Sequence, residues 1–399
     1  MRIMICTFYR YPHLGGVSTH ITELAEYLQA EHVDVTITSG NPPYFAKLLY
    51  LLSGALQKLG LKELFSFDYL ATTVNANNYR RELATKLREE RIDVLHAQDV
   101  ISGSLAAKAV RELGLTIPIV LTVHGPMARE AVMSGAHPDS KLLQHIQSSE
   151  RSALRHADHL IFVDKGQSDI ARREHGDDLS DKTTILANAV NAEDYETEEG
   201  DDDRPSSGPA YFLVPRRLVH KNGVATAIEA IQLLKSKECQ LRIAGSGPLL
   251  PELKLQAERC GLAKRIVFLG GCTRPQVIQH MRRAVGVIVP SIPVNGVEEA
   301  TSLAALEATA LGIPCIASDL GGLREIFAGT GVGFLYLPGN ANQLAELLEK
   351  VQALNSEQRS LYAKRARQLI QSKYSRSQWG RRQVDVYRNV QSICSNGAK

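Results

Sequence analysis

Short apolar runs alternate along the chain with longer stretches of helical period. The runs Ile3–Phe8, Val33–Ser39, Asp93–Ala97, Ile117–Val123 and His159–Val163 read as strands. Between them, stretches such as Val17–Ala30, Tyr79–Glu90 and Ser102–Leu113 read as helices. The rhythm then restarts. Strands are expected at Tyr211–Val214, Gln240–Ala244, Ile266–Leu269, Gly286–Val289 and Cys315–Ala317, each followed by a helix. This alternation predicts α/β structure with parallel sheets covered by helices. Residues 200–209 are rich in Asp, Ser, Pro and Gly and read as a linker or long surface loop. The pattern therefore predicts two α/β domains, over 1–200 and 201–375. The basic tail reads as helical from Ser356 to Ser392, interrupted near Tyr374–Trp379, with a last helix in 376–399.

One segment breaks the rhythm. Residues 44–65 carry Phe45, Leu48, Leu49, Tyr50, Leu51, Leu52, Leu56, Leu59, Leu61, Leu64 and Phe65, with Lys47, Lys58 and Lys62. It is too interrupted to span a bilayer. It reads as an interfacial amphipathic pair in peripheral membrane contact, as a lid over an acceptor pocket, or as a core insertion.

Composition narrows the class. The chain has 399 residues, 44% hydrophobic and 22% charged, the balance of a globular protein. Six scattered cysteines form no CxxC pair, which argues against a zinc site or disulfide framework and for a cytoplasmic setting. No secretory leader is expected at the N-terminus. Residues 1–200 hold 20 Lys and Arg against 27 Asp and Glu, and residues 201–399 hold 26 against 16. A basic second half suits a phosphorylated ligand or an anionic surface, or is a set of solvated helix faces.

The candidate chemistry lies at predicted strand ends, where ligands of parallel α/β sheets gather. Gly15 and Gly16 close the first loop and open a helix, letting backbone amides approach an anion. The pair also reads as a tight turn, and GxGxxG is absent, which disfavours a dinucleotide enzyme. His124 follows a strand, as a ligand contact or a structural hydrogen-bonder. Arg216, Arg217 and Lys221 form a cationic cluster after the strand at Tyr211–Val214, suited to a diphosphate. Gly245 and Gly247 allow close approach of a base or ribose, or form a bare turn. Glu299 and Glu307 have two roles available around a predicted helix at about Ser302–Leu311. The amides of Thr301, Ser302 and Leu303 offer an anion site at its start. Glu299 lies in the loop ahead and Glu307 inside the helix.

Taken in order, these pieces resemble a known family. Gly15-Gly16, Thr122-Val-His-Gly125, Asn188-Ala-Val190, Arg217-Leu-Val with Lys221, Ala244-Gly-Ser-Gly-Pro248, Phe268-Leu-Gly270 and the spaced glutamates resemble the GT-B retaining glycosyltransferases of family 4, the glycogen-synthase-like group. The resemblance covers nearly the whole chain. It implies two Rossmann-like domains facing across a donor-binding cleft, with the helix after 376 crossing back to the first domain. It implies metal-independent transfer of a sugar, a hexose above all, with retained configuration and no cofactor. The partners implied are a nucleoside-diphosphate sugar and a glycan, lipid-linked or small-molecule acceptor, without nucleic acid. By the same resemblance Gly16 contacts the diphosphate and His124 lies beside the sugar. Arg217 and Lys221 stabilise the leaving phosphate, Glu299 holds sugar hydroxyls and Glu307 holds the ribose. Asn188 and Gly15 belong to the donor-binding set.

Two departures stand out. The usual glycine before the arginine is Arg216, and the family spacing to Lys221 is kept from Arg216 rather than Arg217, so either arginine fits the phosphate. The usual Glu-Gly-Phe-Gly is Glu299-Ala-Thr-Ser302. Glu298 is an adjacent rival, but Glu299 has the seven-residue spacing to Glu307. The alternatives are a GT-B sugar-nucleotide epimerase and a degenerate, non-catalytic binding subunit.

Overall fold

The computed structural model describes residues 1–13, 15–58, 67–133, 136–195 and 209–397. Positions 200–208 of the expected linker and 59–65 of the apolar segment lie outside the described residues. The chain divides into two compact units, Met1–Leu186 with Gly380 onward, and Ala187–Trp379.

The first unit has six strands, β1 Arg2–Thr7, β2 Asp34–Ser39, β3 Val94–Ala97, β4 Ile119–Val123, β5 His159–Phe162 and β6 Thr183–Ile185. They form one parallel sheet in the order β2-β1-β3-β4-β5-β6. Its helices are α1 Gly16–Ala30, α2 Tyr44–Lys58, α3 Phe67–Glu89, α4 Val100–Glu112, α5 Met127–Met133, α6 Lys141–His156 and α7 Lys165–His175. Helices cover both faces, so inner strands are apolar throughout rather than alternating. Ile3, Met4, Ile5 and Cys6 of β1 are all fully buried. Asp99, Ser140 and Asp164 cap α4, α6 and α7 by accepting from the amides of Ser102, Leu143 and Gln167.

The second unit repeats the plan. Its strands are β7 Tyr211–Val214, β8 Gln240–Ala244, β9 Ile266–Gly270, β10 Gly286–Val289, β11 Cys315–Ser318 and β12 Phe334–Tyr336. The parallel order is β12-β11-β10-β7-β8-β9. The helices are α8 Val224–Leu233, α9 Leu250–Arg259, α10 Arg274–Arg282, α11 Leu303–Ala310, α12 Gly321–Phe327, α13 Ala341–Gln352 and α14 Ser356–Leu369. A π-helical turn over Ile370–Tyr374 ends α14, and α15 runs over Arg376–Gly397. The interruption expected near Tyr374–Trp379 falls at Ser375, which bridges Val190, while Arg376–Trp379 already belong to α15.

From Gly380, α15 packs within the first unit. A Cβ on Gly380 would lie 2.2 Å from the Tyr27 ring, so only glycine lets α15 sit this close to α1. Tyr387 shares a 2.7 Å hydrogen bond with Nδ1 of the fully buried His96. Strands β6 and β12 were not expected from the pattern. Each is a three-residue edge strand, too short to show a period.

In each sheet the strand order reverses once, so that the first strand has later strands on both sides, reached by crossovers running opposite ways across the sheet. These switch points are β1/β3 and β7/β10. Loops leaving the two strands there diverge, and the crevice left beyond their carboxyl ends is the place for a ligand.

Candidate active site

At the β7/β10 switch of the second unit, Arg216 leaves β7 and turns inward. Its Nη2 donates to Asn222 Oδ1 at 2.6 Å, Ser291 Oγ at 3.1 Å and Glu299 Oε2 at 2.6 Å. Its Nη1 reaches Ser302 Oγ, the N-cap of α11, at 3.4 Å. The Arg216 and Glu299 side chains are only 10% and 11% exposed. Burial by itself pushes the Glu299 carboxyl up, but the Arg216 guanidinium, with Lys221 behind it, holds it below the usual glutamate range. Arg217, by contrast, is exposed. The two arginines, both just past the end of β7, thus diverge: one is part of a buried network, the other faces solvent.

Backbone devices fix this network. Gly223 has φ 59°, and a Cβ there would lie 1.8 Å from the Pro290 carbonyl. It lets the loop bearing Lys221 close against the end of β10, and Ile292 N donates to Lys221 O at 2.9 Å. Gly245 and Gly247 serve the same segment: Cβ atoms on them would meet the carbonyls of Arg216 at 2.0 Å and Leu218 at 2.3 Å. Their close approach is to backbone. Asn295 and Gly296, with φ 51° and 72°, form a tight turn closed by mutual Val294–Val297 hydrogen bonds. The chain returns from it to Glu299.

The glutamates separate cleanly. Glu298 is exposed and accepts from the Gly321 amide at the start of α12, while Glu299 faces Arg216. Glu299 is followed by alanine, and room for its backbone comes from Gly321 and Gly322. A Cβ on Gly321 would meet Glu299 O at 2.3 Å, and one on Gly322 would meet Thr301 N at 2.5 Å. Asn188 donates to Thr301 O at 2.9 Å and ties down the residues before α11. Leu303 is the first residue of α11, whose opening amides lie beside the Arg216 contact.

Glu307 sits one turn into α11. Its Oε1 accepts from Arg274 Nε at 2.9 Å and from the Tyr195 hydroxyl at 3.2 Å, and Arg274 Nη2 donates to that hydroxyl at 2.7 Å. Neither Tyr195 nor Arg274 belongs to a motif legible in the sequence. Both are separated from Glu307 by long stretches of chain.

In the first unit, Gly15 has φ 149° and is the N-cap of α1, with Gly16 as its first residue. Asp99 anchors the loop after β1, accepting from Phe8 N at 2.7 Å and Thr7 Oγ1 at 3.0 Å. His124, after β4, hydrogen-bonds Gln98 Oε1 through Nε2 at 3.1 Å. Its ring meets that of His20 edge-on at 4.6 Å. Burial, then His20 and His96, hold the His124 imidazole well below its usual value, so it is neutral at pH 7. His96 is pushed down to about 3, chiefly by burial. A neutral imidazole fits a polar contact rather than a fixed positive charge.

Two Rossmann-like units, each with polar residues at its switch point, define the GT-B architecture of nucleotide-dependent transferases. Comparison with known proteins supplies the family. The sequence profile of Glycosyltransferase Family 4 matches residues 14–194, and that of Glycosyl transferases group 1 matches residues 196–369. The chain belongs to the group 1 glycosyltransferases of the GT-B fold. Glycogen synthase of Mycobacterium tuberculosis is 26% identical over 88% of this chain and 86% of its own length. Phosphatidyl-myo-inositol mannosyltransferase of Mycobacterium leprae is 25% identical over 100% of this chain and 99% of its own. The crystal structure of Anabaena HepE with UDP-glucose superposes with a TM-score of 0.72 at 17% identity, covering 98% of this chain and 100% of that one. At that identity the likeness shows the fold alone.

Proposed function

We propose that the protein transfers a hexose, with retained anomeric configuration, from a nucleoside-diphosphate sugar. The observation carrying this reading is the buried Arg216–Glu299 pair beside the first turn of α11. As the donor bond breaks, charge builds on the departing phosphate. Cations and amides already held in place stabilise that charge without reorganising, usually the largest contribution in such sites. Arg216, fixed by four partners, and Lys221 supply the cations here, and Arg216 rather than Arg217 is the phosphate ligand. Glu299, kept ionised, accepts from sugar hydroxyls, and Glu307 accepts from the ribose. His124, neutral, offers a hydrogen bond on the sugar side. Positive side chains and helix amides carry the diphosphate charge, so transfer proceeds without a divalent metal. The first unit, Met1–Leu186 with the chain from Gly380, serves the acceptor, and the second unit holds the nucleotide.

The acceptor reading rests on α2. Tyr44, Phe45 and Leu51 are 82%, 59% and 72% exposed, with Leu48 and Leu52 also exposed. Such a face beside Lys47 suits the inner surface of an anionic membrane, where a lipid-linked acceptor lies. No helix among the described residues is long and apolar enough to cross a membrane.

The test is a melting-temperature panel with UDP-, GDP-, ADP- and CDP-sugars, followed by NMR of the product with the stabilising donor. A ligand at about 100 times its Kd adds about 2.7 kcal/mol. One donor class is expected to stabilise, with an axial-linked donor giving an axial-linked product. Inverted product refutes the retaining mechanism, and no stabilisation by any donor refutes the donor reading.

A further inference from the structure

We infer that Arg274 and Tyr195 are positioning residues for ribose recognition, acting through the carboxylate of Glu307. The inference rests on the donor reading above and deepens it.

The three side chains form a closed ring of hydrogen bonds. Arg274 Nε and the Tyr195 hydroxyl both donate to one atom, Glu307 Oε1, and Arg274 Nη2 donates to the same hydroxyl. Each member is fixed from elsewhere. Tyr195 is fully buried in the apolar core beneath α11. Arg274 is the first residue of α10, whose start is locked by a capping box between Thr273 and Gln276. Its guanidinium carbon lies 5.9 Å from the Tyr195 ring centre. Glu307 is only 7% exposed, on a helix whose residues Ala305, Leu306 and Ala308 are buried around it.

Two consequences follow from this geometry. A buried carboxylate costs less in ionised form when it is paired and hydrogen-bonded. Arg274 supplies that partner charge at 2.9 Å. Two donors converging on Oε1 also fix the rotation of the carboxylate plane. A vicinal diol presents two donors side by side and needs a carboxylate in one orientation to accept both. The ring of Arg274 and Tyr195 holds that orientation before the nucleotide arrives, which reduces the ordering cost of binding.

The arrangement gives ribose recognition and diphosphate recognition different arginines: Arg274 bonds Glu307 and Tyr195, and Arg216 bonds Glu299. The experiment uses the full chain and its Arg274→Gln, Arg274→Lys and Tyr195→Phe variants. Calorimetry measures binding of UDP, GDP, ADP and CDP, and of the 2′,3′-dideoxy form of whichever binds. Melting curves check that each variant folds. For Arg274→Gln the expected result is about 10–100-fold weaker binding of the ribose nucleotide, the loss of one charge-assisted hydrogen-bonding group. The dideoxy nucleotide should lose under about 3-fold. Arg274→Lys should recover part of the loss, since it keeps the charge without the fork. Tyr195→Phe should show the same ribose-dependent loss, smaller in size. In turnover, the donor KM should rise with kcat little changed. Equal losses for both nucleotides would place Arg274 on the base or phosphate and overturn the inference. Tighter binding by Arg274→Gln would show that Arg274 competes with the ribose, which also overturns it. Wild-type protein that binds none of the four diphosphates defeats the donor reading itself.

Discussion

The sharpest test of the second-unit site is the contrast between two adjacent arginines. Arg216→Ala removes four hydrogen bonds, to Asn222, Ser291, Glu299 and Ser302. It leaves the Glu299 carboxylate buried with the Ser291 hydroxyl, 3.2 Å away, and the charge of Lys221 as support. Breaking a buried pair from one side costs about 3–5 kcal/mol. For a unit of this size the melting temperature should fall on the order of 6–20 °C. Turnover should fall about 100–1000-fold, as for loss of one preorganised group at the developing charge. Arg217→Ala removes an exposed side chain, so its stability should change by less than about 0.5 kcal/mol, and its turnover should stay near wild type. A third variant separates the two effects. Arg216→Met with Glu299→Leu removes both charges, so stability should largely return, while activity should stay lost. Steady-state kinetics and melting curves on the three variants decide the matter. Normal turnover in Arg216→Ala, or a hundredfold loss in Arg217→Ala, would refute the assignment of the phosphate to Arg216.

Lys221→Ala should lower kcat about 100–1000-fold while lowering the melting temperature far less than Arg216→Ala does, whereas Glu307→Ala should mainly raise the donor KM, as steady-state kinetics will read. Activity should persist in excess EDTA, because cations of the chain carry the diphosphate charge; complete loss reversed by Mn²⁺ would refute this. Glu150 is raised to about 7 by burial first and then by Glu174, although amides of Met127 and Ala128 oppose the shift. The folded state therefore holds a proton that the unfolded chain releases earlier, so this group's stabilisation is full below the ordinary value of 4.5 and is lost as pH rises to about 7. Glu150→Gln should flatten melting temperature against pH over that window, and an unaltered profile would refute the assignment. Replacing Phe45 and Leu51 by Glu should abolish flotation with anionic vesicles while leaving the melting curve unchanged, since both side chains are exposed.

Much of this protein is legible one residue at a time. Apolar runs such as Ile3–Phe8 and Gly286–Val289 announce strands because a strand covered on both faces needs no polar alternation. The restart of that rhythm near Tyr211 announces a second unit, and the order of Gly16, His124, Lys221, Glu299 and Glu307 announces the family. These are local or ordered features, carried by the chain itself. Other decisions needed the fold. Arg216 and Arg217 are indistinguishable in sequence, and only the direction in which each leaves β7 separates a buried ligand from a solvated charge. Gly245 and Gly247 read either as room for a ligand or as a bare turn, and only the fold shows that a Cβ on either would meet the backbone of Arg216 or Leu218. Glu298 and Glu299 differ because the Gly321 amide meets one and a guanidinium meets the other. Tyr195 and Arg274 carry no motif at all. They reach Glu307 only because the start of α10 and the turn at Ala192–Tyr195 meet α11 there, and a contact between residues so far apart in the chain is a property of packing, which no local pattern encodes.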